Sequence, residues 1–218
     1  AEGRKWPDGR LIVMSTTRRQ ALIFGGLGLG GAGMVTAPGP ILDVNVRDHG
    51  AKGDGTTDDA AAITAAFAGG HRRIYVPAGN YLIKSCIRVH SNTHVVMHPD
   101  AVILNANTTS ELAFANGDIG NTTYAKGYAG DGNIHFTGGT IDNQPRASLK
   151  KHTKAMAFGH AENLTIEGMH FLNNYLSHFM ELNAVKNATV RDCTFTDLNP
   201  GGYLGRAAIN IDHSDAVG

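Results

Sequence analysis

Charge is scarce in this sequence. Of 218 residues only 17% are Asp, Glu, Lys or Arg, and 19 basic side chains balance 19 acidic ones. A chain without net charge has no overall field to draw it onto nucleic acid or an anionic membrane. Cysteine is nearly missing. Cys86 and Cys193 are the only two, too few for a disulfide framework or a cysteine-based zinc site. Long apolar runs are missing as well: the stretch from Ala21 to Ala37 is short and rich in glycine, whereas a membrane-spanning helix needs ~20 strongly apolar residues.

What is abundant points elsewhere. Glycine occurs 28 times, and Asn and Thr are frequent, a composition that suits short strands joined by tight turns and suits a helical bundle poorly. The length allows one domain with one sizeable core. A leader stands apart from that core. Residues 14–37, "MSTTRRQALIFGGLGLGGAGMVTA", place Arg18-Arg19 ahead of an uncharged stretch that closes on Val35-Thr36-Ala37, a small-residue cleavage pattern. The leader resembles a bacterial twin-arginine export signal. That implies a periplasmic or secreted protein exported in its folded state, cleaved after Ala37, with no membrane insertion afterwards. Residues 1–13 read as an upstream extension, and residues 38–218 as the folded domain.

The stretch "VRDHGAKGDGTTDDAAAITAAF", residues 46–67, has the look of a ligand loop. It fails three tests. A Walker-type phosphate loop needs Lys where Thr56 stands, an EF-hand needs a closing Glu that is absent, and a dinucleotide fingerprint needs a third Gly. The structural reading accounts for more: a strand from Asp43 to Asp48, a turn over Gly50–Gly55, and an amphipathic helix beginning near Asp58. Thr57 is its expected N-cap, with Asp58 and Asp59 in the first turn. Such a helix covers the exposed end of a β structure.

Three later segments superimpose: "NIHFTGGTI" (133–141), "NLTIEGMHF" (163–171) and "NATVRDCTF" (187–195). A fourth, from Asn92, fits with extra residues. Short strands recurring at this period with no helix between them predict a solenoid of parallel strands, wound right-handed. Stacking then puts Phe136, Ile166 and Val190 in one internal column, Ile141, Phe171 and Phe195 in another, and Gly139, Met169 and Cys193 in a third. Cys193 reads as a small buried hydrophobe. Asn133, Asn163 and Asn187 form a ladder at a corner, where Asn tolerates left-handed backbone.

The opening stretch, followed by "RRIYVPAGNYLI" (72–83), resembles the N-terminal opening of the pectate lyase and polygalacturonase superfamily, which includes phage tailspike domains. The resemblance covers most of residues 43–218. It implies an all-β fold, a right-handed parallel β-helix with a short N-terminal capping helix. Because such proteins usually run longer, it also implies that this chain is the N-terminal part of a longer solenoid, truncated at its C-terminus. Activity is left open, since the superfamily holds hydrolases, lyases, epimerases and binding spikes.

Candidate chemistry lies on the strands just before each Asn corner: 154–163, 178–187 and 207–215. Alternation points Met156, Phe158, Met180, Leu182, Ile209 and Ile211 inward, and Ala157, Gly159, Glu181, Asn183, Asn210 and Asp212 outward. Coils ~4.8 Å apart set Glu181 beside Asn210 and Asn183 beside Asp212, near His178 and Arg206. The small Ala157 and Gly159 leave room for a sugar ring. Paired carboxyls are what glycoside hydrolysis needs, one protonated and one ionised. Glu181 or Asp212 is then the acid and the other the base, with His178 tuning them and Asn183, Asn210, His160 and Lys154 binding substrate. A lyase would use His178 or Arg206 as base, with calcium on the carboxylates; a hydrolase needs no cofactor and no metal. The clustered Asp pair of polygalacturonases is absent here. His152 and His160 read as surface or sugar-stacking groups, Tyr124 and Tyr128 as part of a loop overhanging the groove. His90, His94 and His98 belong to extended chain, too far apart for one metal ion. The expected partner is a polysaccharide, with no nucleic acid. A homotrimer would cover the strand edges of an uncapped last coil. A non-catalytic carbohydrate-binding or spike module is the rival reading.

Overall fold

The computed structural model describes residues 42–68, 70, 72–117, 119, 125–144, 152–199 and 206–212. The leader and Tyr124 lie outside them. The chain climbs in coils, each contributing a strand to successive sides of a prism. The first coil has β1 (Leu42–Asn45) and β2 (Asp54–Asp58), and its third side is helix α1 (Ala60–Phe67). The next coils are β3 (Arg72–Val76), β4 (Gly79–Ile83) and β5 (Ile87–Val89), then β6 (Thr93–Met97), β7 (Ala101–Asn105) and β8 (Leu112–Asn116). They continue with β9 (Gly132–Thr137), β10 (Thr140–Asp142) and β11 (Lys154–Gly159), and with β12 (Glu162–Glu167), β13 (His170–Tyr175) and β14 (Met180–Asn183). The last described coil is β15 (Lys186–Arg191), β16 (Thr194–Asn199) and β17 (Ile209–Asp212). Every pairing is parallel, giving sheet A (β1-β3-β6-β9-β12-β15), sheet B (β2-β4-β7-β10-β13-β16) and sheet C (β5-β8-β11-β14-β17) among the described residues. This is a right-handed parallel β-helix.

Register follows the repeat. Ile166 pairs with Phe136 on one side and Val190 on the other. Ile141, Phe171 and Phe195 stack in the same way, with the Phe171 and Phe195 rings 4.9 Å apart and nearly parallel at 8°. Met169 and Cys193 are buried beneath the next corner. The Asn corner is a continuous ladder: the side-chain amide of Asn133 donates to Asn92 (2.9 Å), Asn163 to Asn133 (3.0 Å) and Asn187 to Asn163 (3.0 Å). All four have φ between 55° and 59°, the left-handed conformation Asn accepts at low cost.

The opening stretch departs from expectation in its details. The first strand ends at Asn45, whose side chain accepts from Arg47 N (3.0 Å) and turns Val46–His49 into a 3-10 turn. Thr57 does not cap the helix, and neither Asp58 nor Asp59 sits in its first turn: the helix starts at Ala60. The reason is local. The Asp54 carboxylate takes the amides of Thr56 (2.8 Å) and Thr57 (2.7 Å) together with both hydroxyls, which commits this segment to β2. Asp59, 1% exposed, accepts from the amides of Lys52 (2.7 Å) and Gly53 (2.9 Å). The glycine-rich loop directs its N–H groups at the chain's own carboxylates, so it is self-satisfied and structural. The helix then buries Ile63, Ala66 and Phe67 over the open end of the coil, and Phe67 packs on Phe114 at 6.0 Å. Its function is to cap.

Candidate active site

The outer face of sheet C carries the candidate site. Glu181 pairs in register with Ala157 and Asn210, and Asn183 with Gly159 and Asp212. The column expected from the sequence therefore forms. Lys154 needs a separate explanation, because strict alternation from Met156 would send it into the core. A β-bulge intervenes. Ala155 and Met156 both donate to Phe179 O (2.8 and 3.1 Å), and both are buried, so two consecutive residues point inward and Lys154 turns out. Phe179 and Met180, both 0% exposed, are likewise consecutive buried residues one coil on, and His178 just before them is itself buried.

The result is a compact polar cluster. Lys154 Nζ forms an ion pair with Glu181 Oε2, and Asn183 Nδ2 donates to Glu181 Oε1 at 3.1 Å. Burial pushes the Glu181 carboxyl up, but the hydrogen bonds from Lys154 and Asn183 and the charges of Lys154 and His178 outweigh it, holding the group below the usual carboxylate range. Glu181 is thus set to be ionised. His178 is held by the next coil: its Nδ1 lies 3.1 Å from Ala207 N and 3.2 Å from Ala207 O. Asn183 Oδ1 is buried without a hydrogen-bond partner among the described residues, an acceptor beside the carboxylate that a ligand hydroxyl could satisfy. Asn210 and Arg206 are half-buried and Asp212 is exposed.

Two expectations are corrected here. The space above Ala157 and Gly159 is not open. Ile119 occupies it, its Cδ1 only 2.9 Å from where a Cβ on Gly159 would lie, and it packs with Cys86, Leu112, Ala115 and Ala157 in a small apolar cluster. His160 is not a surface or stacking group. It is buried; its Nδ1 meets Gly127 O (2.8 Å) and its carbonyl takes Gly130 N (2.8 Å), so it anchors the loop that carries Ile119. Tyr128 is on that loop and exposed. His152 is exposed as expected.

Other residues escaped the sequence reading. A second, buried Asn ladder lines the corner between sheets B and C: Asn105 donates to Asn143 and Asn143 to Asn174, each at 2.8 Å. His94 and His135 stack on the outer face of sheet A with ring centroids 4.3 Å apart and an interplanar angle of 2°. Each lies two residues after an Asn of the corner ladder, Asn92 or Asn133, and the two pair in register; that shared spacing was the available signal.

A family profile described as "Rhamnogalacturonase A/epimerase, pectate lyase-like" matches residues 43–215. The chain belongs to this family. Membership confirms the superfamily that the opening stretch resembles. The Plasmin and fibronectin-binding protein A of Streptococcus pneumoniae is 29% identical over 193 residues, covering 78% of this chain and 27% of that protein. The crystal structure of PfbA, a surface adhesin of Streptococcus pneumoniae, superposes with a TM-score of 0.63 over 77% of this chain and 42% of that one, at 29% identity. Alginate lyase 7 of Azotobacter vinelandii is 26% identical over 181 residues, 75% of this chain and 21% of that enzyme. The chain spans about a quarter of the length of these curated relatives. A polysaccharide-related β-helix is what the family and the fold share.

Proposed function

We propose that the protein is an exported polysaccharide-degrading enzyme, a glycoside hydrolase acting on a chain that lies along the outer face of sheet C. One observation carries the reading: Glu181, held ionised by Lys154 and Asn183, lies on the same outer face as Asp212, one coil and two residues away by register. That diagonal is ~8 Å between backbones from the strand spacing and rise, so both carboxyls project from one patch of the same face, as a pair of acid and base requires. Glu181 is then the base that activates water, and Asp212 the acid that protonates the leaving oxygen. Asn183 and Asn210 bind sugar hydroxyls, and His178 reinforces the charge state of Glu181. Polymers as an extracellular substrate fit with a signal at residues 14–37, and N-terminal sequencing of secreted protein beginning at Pro38 tests the export.

The activity test is a panel of polysaccharides read in two ways. A hydrolase gives new reducing ends without ultraviolet absorbance. Absorbance from a new double bond would instead mark β-elimination, with His178 or Arg206 as base. A second reading has support of its own: 29% identity to a protein named for binding plasmin and fibronectin favours an adhesive module. Binding of plasmin or fibronectin without any depolymerisation would establish that reading instead.

A further inference from the structure

The sheet C face changes character abruptly along the solenoid axis. From β14 onward it is polar, with Glu181, Asn183, Asn210 and Asp212 in register. In the two coils before it the Glu181 column is dry: Ala115 is 0% and Ala157 2% exposed. Ile119 lies across them, filling the space over Gly159. This cover is fastened at several points. Arg88, in the Ala115 column, donates from Nη1 to Asn116 O (2.8 Å) and Ile119 O (2.6 Å). Asp131 accepts from Gly117 N (3.0 Å), Ser91 N (2.9 Å) and Ser91 Oγ (3.1 Å), closing the loop at its base. Asn116 and Gly159 exchange two hydrogen bonds, Nδ2 to O at 2.7 Å and N to Oδ1 at 2.9 Å, and His160 holds the far side. Carboxylate, guanidinium and imidazole together tie the described residues around Ile119 to the sheet.

We infer that Ile119 closes the groove on the N-terminal side of Glu181, so that the site takes the terminus of a polysaccharide chain rather than an internal segment. The inference rests on reading sheet C as the carbohydrate face. A chain laid along the axis meets Ile119 immediately beyond Glu181, and an apolar wall offers nothing to a further hydroxylated ring. The substrate class is therefore a chain end, and the products are short units released one after another.

The test uses galacturonate, mannuronate–guluronate and rhamnogalacturonan oligomers of increasing length, together with their parent polymers, and measures affinity per chain alongside product size. End recognition predicts an affinity per chain that does not rise with length, and short products with little loss of viscosity. Ile119→Ala should extend the groove, raising the affinity of long over short chains about tenfold through the added internal registers and lowering polymer viscosity during digestion. Affinity that already rises with length in the unaltered protein, with early loss of viscosity, overturns the inference and leaves the hydrolase reading standing. No binding to any of these probes overturns both. End-type behaviour that Ile119→Ala leaves unchanged overturns the assignment of the wall to Ile119.

Discussion

Lys154 and Glu181, 27 positions apart in the chain, meet as an ion pair across one coil step. The bulge at Ala155–Met156 brings the lysine to the outer face, and the register of β11 with β14 brings the carboxylate to it. The Lys154 ammonium is directed at the residue proposed as base.

Replacing Lys154 by Gln removes a hydrogen bond and a positive charge from Glu181, leaving burial as the dominant influence on the carboxyl. Its pKa then rises. Because Glu181 works as a base only when ionised, the acidic limb of the rate profile should move to higher pH. The variant should also lose about 1–3 kcal/mol of stability from a half-buried carboxylate without its partner. A pH–rate profile and urea titration of the variant check both; an unmoved acidic limb contradicts the link.

The His94–His135 stack predicts acid sensitivity. Burial lowers the pKa of His94, and the charges of His135 and Arg73 lower it further, against an opposing effect of Glu167. Thr137 Oγ1 lies between the two Nε2 atoms at 3.2 and 3.1 Å. Glu167, itself tied to Arg191, faces His135 at 3.6 Å. A group whose folded pKa is depressed takes its proton more readily in the unfolded chain. The stabilising contribution is therefore complete above the free-imidazole value of ~6.5 and is lost as pH falls below it through the lower folded value. Proton NMR titration should place His94 below the free-imidazole midpoint, and His135→Gln should raise it. A His94 midpoint at or above the free value contradicts the account.

The Asn ladder can be dissected at Asn163, which donates to Asn133 and accepts from Asn187 at φ 59°. Asn163→Ala should cost about 1–3 kcal/mol, combining two lost hydrogen bonds with left-handed strain. Asn163→Gly removes the strain alone and should recover about half of that. Equal melting temperatures for the two variants would show that backbone conformation contributes nothing at this corner.

Phe171→Ala should destabilise by about 3–5 kcal/mol. The ring is 0% exposed and contacts Phe179, just before β14, and Phe195 in β16. Denaturant unfolding measures the loss, and a cost below 1 kcal/mol would exclude Phe171 from the core.

The sequence discloses the coil because residues such as Phe136, Ile166 and Val190 repeat with the winding, and a recurring apolar position has only one inside to face. The same logic placed Glu181 beside Asn210. It could not foresee what interrupts the repeat. Lys154 reaches the surface through a bulge. Ile119 covers Gly159 from a loop with no counterpart in other coils. The ladder Asn105–Asn143–Asn174 is masked by Asn173, whose left-handed backbone (φ 57°) displaces the third Asn by one position. An acidic residue beside an alanine run usually serves the helix dipole, but the amides of Lys52 and Gly53, brought back by the turn, take the Asp59 carboxylate.

The central claim, that the sheet C face hydrolyses polysaccharide, is tested most directly by comparing reducing-end release by Glu181→Gln and Glu167→Gln on the polymer the unaltered protein degrades. Glu167 lies on sheet A, bound to Arg191. The account predicts a loss of about 100-fold or more for Glu181→Gln and an unchanged rate for Glu167→Gln. Full activity in Glu181→Gln would contradict it.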